Sequence, residues 1–182
     1  EAMRVFRDIL KEEPGNFDVR YYLGLTLEDD KHLDEALEEL MQIPKDSPRY
    51  PDALFHRGYI LSQKERYAEA SDLLSTAGDL RPNEGNIPYL MGLIYFQQKS
   101  YAQAIAQLER ALGLEPSNTA YLYQLGSAFE RSRHIDKAET IFRKLLAIDP
   151  KNADAYNYLG FMFADEGIKL DESIVLIKKA LD

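Results

Sequence analysis

Prolines stand at residues 14, 48, 82, 116 and 150 of this 182-residue chain, each 34 residues from the next. Gly24, Gly58, Gly92, Gly126 and Gly160 keep the same step, and so do Ala2, Ala36, Ala70, Ala104 and Ala138. Three residue types in register five times over cannot come from composition. A fixed period of this length marks a chain built of stacked units, each burying its apolar face against its neighbours. Length alone would allow one or two globular domains. The period instead implies a single array spanning 1–182.

The segment Thr119–Asn152 serves as the type unit. Leu122, Leu125, Ala128 and Phe129 lie three and four apart on one helical face. Ser132, Arg133 and His134 break the pattern, and Ile135, Ala138, Ile141, Phe142, Leu145 and Leu146 form a second amphipathic run. Asp149-Pro150 ends it, because the residue before a proline is pushed out of the helical region. Each unit is therefore helix, tight turn, helix, short loop. The glycine at the eighth position costs about 1 kcal/mol of helix propensity relative to alanine. Close approach of the facing helix is the expected compensation, and the alanine at the twentieth position serves the same approach from the other side.

These residues resemble the tetratricopeptide repeat (TPR) family. The third unit reads Met91-Gly92, Tyr95, Ala104, Leu108, Ala111, Pro116, and the fourth Leu125-Gly126, Phe129, Ala138, Phe142, Leu145, Pro150. The resemblance covers nearly the whole chain. It implies an all-α fold, a right-handed alpha-alpha superhelix of antiparallel helix pairs. The units run as a second helix of a partial repeat at 1–16, full repeats at 17–50, 51–84, 85–118 and 119–152, and a last repeat at 153–182.

The pattern bends in three places. The tryptophan frequent at the fourth position is replaced by Arg20, Leu54, Pro88, Leu122 and Tyr156. Pro44 is expected to cut the second helix of the first full unit short, and with Pro48 and Pro51 it makes a stiff corner. That corner reads either as a tolerated loop variant or as a changed packing angle and contact surface. In the last unit one residue is inserted near Gly167-Ile168-Lys169-Leu170, and Ser173 replaces the expected alanine. This ending resembles a variant unit common in bacterial repeat proteins, which implies a bacterial origin and further repeats. The chain opens at Glu1, partway through a unit, and stops at Asp182 just before the next proline is due. It reads as a piece of a longer protein, so the compartment is left open between cytoplasm and periplasm.

Charge and residue types exclude several functions. With 31 acidic and 22 basic residues the net charge is −9, which opposes binding to phosphate backbones; nucleic acid is not an expected partner. No apolar run is long enough for a transmembrane helix. There are no cysteines, so thiolate metal sites and disulfides are ruled out. Neither a nucleophile triad, a phosphate-binding glycine loop nor a His-Glu metal motif is present. His32 and His134 sit in equivalent turns three units apart, and His56 stands alone in a first helix; all three read as surface or packing residues. The expectation is a non-enzyme without cofactor or metal.

In the TPR family the first helix of each unit lines the binding groove. On that resemblance the groove residues here are Tyr21, Phe55, Tyr89 and Tyr123 at position 5, Leu25, Tyr59, Leu93 and Phe161 at position 9, and Phe96 and Glu130 at position 12. Asp18 and Asp52 flank them, as do Asp29, Asp154 and Asp165. Apolar residues at position 9 stand where a polar residue is commoner, and apolar groups on a wetted surface mark a binding site. The family's clamp for C-terminal carboxylates needs lysine and asparagine at positions 5 and 9, and Tyr21/Leu25, Phe55/Tyr59 and Tyr89/Leu93 lack it. The expected function is a protein-interaction scaffold that holds an apolar, neutral or basic peptide or helix. Two other readings stand beside it: a targeting or regulatory arm of a larger enzyme, and a self-assembly module pairing through the groove or the cut ends.

Overall fold

The computed structural model describes residues Glu1–Leu181. Among these residues there are eleven helices and no strand. They are α1 (Ala2–Glu12), α2 (Phe17–Asp29), α3 (Leu33–Met41), α4 (Tyr50–Gln63), α5 (Tyr67–Leu80), α6 (Asn86–Gln97), α7 (Tyr101–Leu114), α8 (Thr119–Arg131), α9 (Ile135–Ile148), α10 (Ala153–Asp165) and α11 (Leu170–Leu181). The chain divides into two compact units, Glu1–Ile87 and Pro88–Asp182. Within the first, α2 packs on α3 and α4 on α5; within the second, α8 packs on α9 and α10 on α11.

The glycines of the 34-residue step are seats for side chains of the paired helix. A Cβ built on Gly24 would lie 2.7 Å from Leu40, on Gly58 2.8 Å from Leu74, on Gly92 2.7 Å from Leu108, and on Gly126 2.8 Å from Phe142. Real Cβ atoms do not approach that closely, so only glycine admits the partner. At Gly160 the seated residue is Ile177, 35 rather than 34 residues after Phe142. The inserted residue near Gly167 is thus absorbed before α11, and the seat is kept. Ala36, Ala70, Ala104 and Ala138 are fully buried. Ser173 takes their place in the last pair and donates its buried hydroxyl to the Gly160 carbonyl at 2.8 Å, which removes the cost of burying a polar group there.

The turns within the helix pairs also keep the 34-residue step, through residue types that give no hint of it. Lys31, Glu65, Lys99, Arg133 and Gly167 all have positive φ, between 57° and 66°. The next residue's amide closes back on the carbonyl five earlier: His32 on Leu27, Arg66 on Leu61, Ser100 on Tyr95, His134 on Phe129, Ile168 on Phe163. This is the Schellman arrangement that satisfies the last carbonyls of a helix. Four of the five left-handed positions carry side chains, although glycine would fit with less strain. The insertion adds a second positive-φ residue, Lys169, to the last turn.

Four prolines of the 34-residue step follow residues outside the helical region. Glu13, Arg81, Glu115 and Asp149 have φ between −133° and −122° and ψ between 67° and 85°, as the proline ring demands of its predecessor. Asn16, Asn118 and Asn152 then cap α2, α8 and α10 with their side-chain oxygens. Their amide groups donate to Glu13, Glu115 and Asp149. Pro44 shortens α3 to nine residues, against fourteen in each of α5, α7 and α9, as its missing N–H requires.

Candidate functional site

In the first unit, the expected groove residues lie on α2 and α4 under a layer of charge. Tyr21 belongs to the core, 8% exposed, so little of its ring is left for a ligand. It meets Tyr22 and His56 edge-on at 5.6 and 5.7 Å. Arg49 covers both tyrosine rings, at 5.2 Å from Tyr21 and 5.5 Å from Tyr22, a cation–π contact. The same guanidinium is hydrogen-bonded to Asp18 and lies 3.8 Å from Asp52. Asp52 also pairs with Arg81 at 3.1 Å, and Arg81 holds Glu84 at 2.6 Å. Of the three flanking acids of this unit, Asp18 and Asp52 are therefore already engaged, while Asp29 is exposed and forms no ion pair among the described residues. Burial first, and then the Asp52 carboxylate, push the Tyr21 phenol up to about 12. Leu25 and Phe55 are partly buried, while Tyr59 is 37% exposed and Tyr22, beside Arg49, 45%.

Arg49 owes its place to the proline corner. Ser47 N–H donates to the Pro44 carbonyl and Tyr50 N–H to the Ser47 carbonyl, so the chain turns twice and delivers Arg49 immediately before α4. Neither Arg49 nor Arg81 is legible as a site residue from helical periodicity, since both lie in the loops that periodicity ignores. His56, isolated in the sequence, is held by Glu28 at 2.9 Å. The signal for that pair is an offset of 28 residues, position 12 of one repeat to position 6 of the next. Tyr158 repeats it by donating to Glu130 at 3.0 Å.

In the second unit the equivalent face is aromatic and less covered. Tyr89 stacks on Tyr121 at 4.6 Å. Tyr123 meets Phe142 and Tyr158 edge-on, each at 5.6 Å, and Phe142 stacks on Tyr158 at 4.7 Å. Tyr89 and Tyr123 come together in a hollow of about 320 Å³ with Thr119, Gln124, Asn152 and Asp154. Glu130 and Phe161 come together in another, about 260 Å³, with Arg131, Tyr158 and Asp165. Phe161 is 58% exposed. Leu93 and Phe96 are partly buried, with Phe96 edge-on to Tyr101 at 5.5 Å; neither lines these hollows. Burial, together with Glu130, pushes the Tyr158 phenol up to about 12.

Among the described residues no group of His, Cys, Asp and Glu has the arrangement of a metal site. No helix among them is long and apolar enough to cross a membrane. His32 pairs with Glu35, and His134 with Ser132.

The tetratricopeptide repeat sequence pattern matches residues 1–57, 89–153 and 123–168. That described as anaphase-promoting complex, cyclosome, subunit 3 matches 38–111. None of the curated proteins compared matches the chain. Among solved structures, MamA is 24% identical over 87% of this chain and 92% of its own, with a TM-score of 0.78. MamA from Desulfovibrio magneticus RS-1 is 20% identical over 100% and 94%, with a TM-score of 0.79. YrrB, described as a TPR protein with an unusual peptide-binding site, is 22% identical over 97% and 91%, with a TM-score of 0.76. At such identities the likeness is one of fold, and it agrees with the helix pairs and glycine seats above. With its sequence pattern, its repeat architecture and its solved neighbours in accord, the chain belongs to the tetratricopeptide repeat family.

Proposed function

We propose that this chain is a protein-interaction scaffold whose second unit holds an apolar and basic peptide or helix on the face of α8 and α10. The observation that carries this reading is Phe161. A phenylalanine more than half exposed, in a hollow whose Glu130 is held by Arg131 and Tyr158 but whose Asp165 is unpaired among the described residues, is an anchor for an apolar side chain with an acid beside it for a neighbouring cation. The Tyr89–Tyr123 hollow, with Asp154 on its rim, repeats that chemistry. Asp154 and Asp165 form no ion pair among the described residues, in contrast to Asp18 and Asp52. The arrangement supports binding and offers no group poised for catalysis.

The test is a fluorescence titration of labelled peptides that alternate leucine or phenylalanine with lysine, against the same peptides with glutamate. The lysine series is expected to bind more tightly, with the difference shrinking as salt rises. Phe161→Ala should weaken binding about tenfold, the magnitude of an interface anchor, while circular dichroism and melting stay unchanged. Equal binding of both series, or an unaffected Phe161→Ala protein, overturns the reading.

A further inference from the structure

A third cavity lies in the first unit, apart from the aromatic face, and it contains a residue that breaks the repeat. At the seventh position the units carry Leu23, Met91, Leu125 and Leu159, but the second full unit carries Arg57. Leu23, Leu125 and Leu159 are buried in the core, so the period places a cation where its equivalents are apolar. Arg57 lines a hollow of about 320 Å³ with Leu37 and Met41 of α3, Leu61 of α4, Arg66, and Glu69, Asp72 and Leu73 of α5. The cavity is edged by Met41, the residue at which Pro44 ends α3 early.

Four arginines of the chain are partly buried: Arg20, Arg49, Arg57 and Arg81. Three are held by carboxylates, Arg20 by Glu39, Arg49 by Asp18 and Arg81 by Asp52 and Glu84. Arg57 has no ion pair among the described residues, and its buried Nε has no partner. A desolvated guanidinium without an acid is costly, and burial lowers its affinity for its own proton. The rim carboxylates do not relieve it. Glu69 is taken up by Arg66 through two hydrogen bonds of 2.7 Å, and Asp72 makes no ion pair with it. Counting Arg57, Arg66, Glu69 and Asp72, the lining is neutral overall, so one negative charge on a ligand has Arg57 to offset it and a second has no counterpart.

We propose that the Arg57 pocket is a binding site for a small monocarboxylic acid with a compact apolar body. The carboxylate would take the guanidinium's free N–H groups as charge-assisted hydrogen bonds. Its apolar body would lie among Leu37, Met41, Leu61 and Leu73. The volume is that of small-molecule sites. A phosphate dianion would meet Asp72 and Glu69 with only one free cation to offset it.

The test uses calorimetric titration of the whole chain with 3-phenylpropionate, its amide, phenyl phosphate, and a peptide ending in leucine with a free carboxylate. The acid is expected to bind, with the amide and phenyl phosphate each about tenfold weaker or worse. Arg57→Leu, which restores the repeat's own residue, should abolish the preference for acid over amide while melting at or above the wild-type temperature. Arg57→Met, the residue at Met91, serves if leucine disturbs the packing. The proposal is overturned if acid and amide bind alike, if neither binds, if only the peptide binds, or if both variants melt well below the parent.

Discussion

The two units are built from the same helix pairs yet finish the corresponding face differently. In the first, Arg49 and Arg81 lie across α2 and α4, covering Tyr21 and Tyr22 and engaging Asp18 and Asp52. In the second, the tyrosines pack against one another, stacked in one pair and edge-on in the other, Phe161 is more than half exposed, and Asp154 and Asp165 are unpaired among the described residues. The scaffold does not dictate this difference. Its source is in the loops: the Pro44–Pro51 corner presents an arginine, whereas the loops before α8 and α10 present asparagine caps paired with acids. A repeat protein can thus cover the face of one unit and leave the corresponding face of another open through the loops that flank its helices.

The largest expected effect tests what the units share. Gly58→Ala in the first and Gly126→Ala in the second should each lower stability by about 1–3 kcal/mol through overpacking, because Leu74 and Phe142 occupy the space. Chemical denaturation measures both, and a neutral result in either would separate the units at their scaffold. A smaller effect bears on what they do not share. Arg49→Ala should cost about 1 kcal/mol from the lost cation–π contacts and leave the peptide affinity of the second unit unchanged. A drop in that affinity would mean the arginine layer belongs to the binding face after all.

A third effect appears only in alkali. Tyr21 in the first unit and Tyr121 and Tyr158 in the second are pushed up to about 12, burial being the leading cause in each. The unfolded phenol ionises near its ordinary value of 10, so the stabilisation is fully present below pH 10 and is lost as pH rises toward 12. Melting temperature should fall across that window. Tyr158→Phe and Tyr21→Phe should each make the fall shallower, and a variant with an unchanged slope would show that its phenol is not held protonated by the fold.

Much of the fold was legible because it is local and repeated. Gly126 and Phe142 meet for the same reason as Gly58 and Leu74, and Pro44 shortens α3 by chemistry that needs no context. The left-handed turn residues were not legible, since Lys31, Glu65, Lys99 and Arg133 do not favour positive φ and are held there by the closing hydrogen bonds. Of the groove residues, Phe161, Glu130, Tyr89 and Tyr123 come together in two hollows, while Tyr21 sinks into the core. The glycine seats, a shared helix face and the anomaly at the seventh position follow from sequence alone, because a 34-residue period fixes which residues are equivalent. Which equivalents are exposed, which acids are neutralised, and whether Arg57 finds a partner were decided only by tertiary structure. Those outcomes depend on the side chains that neighbouring loops and helices bring within hydrogen-bonding reach, and equivalence in sequence carries no information about them.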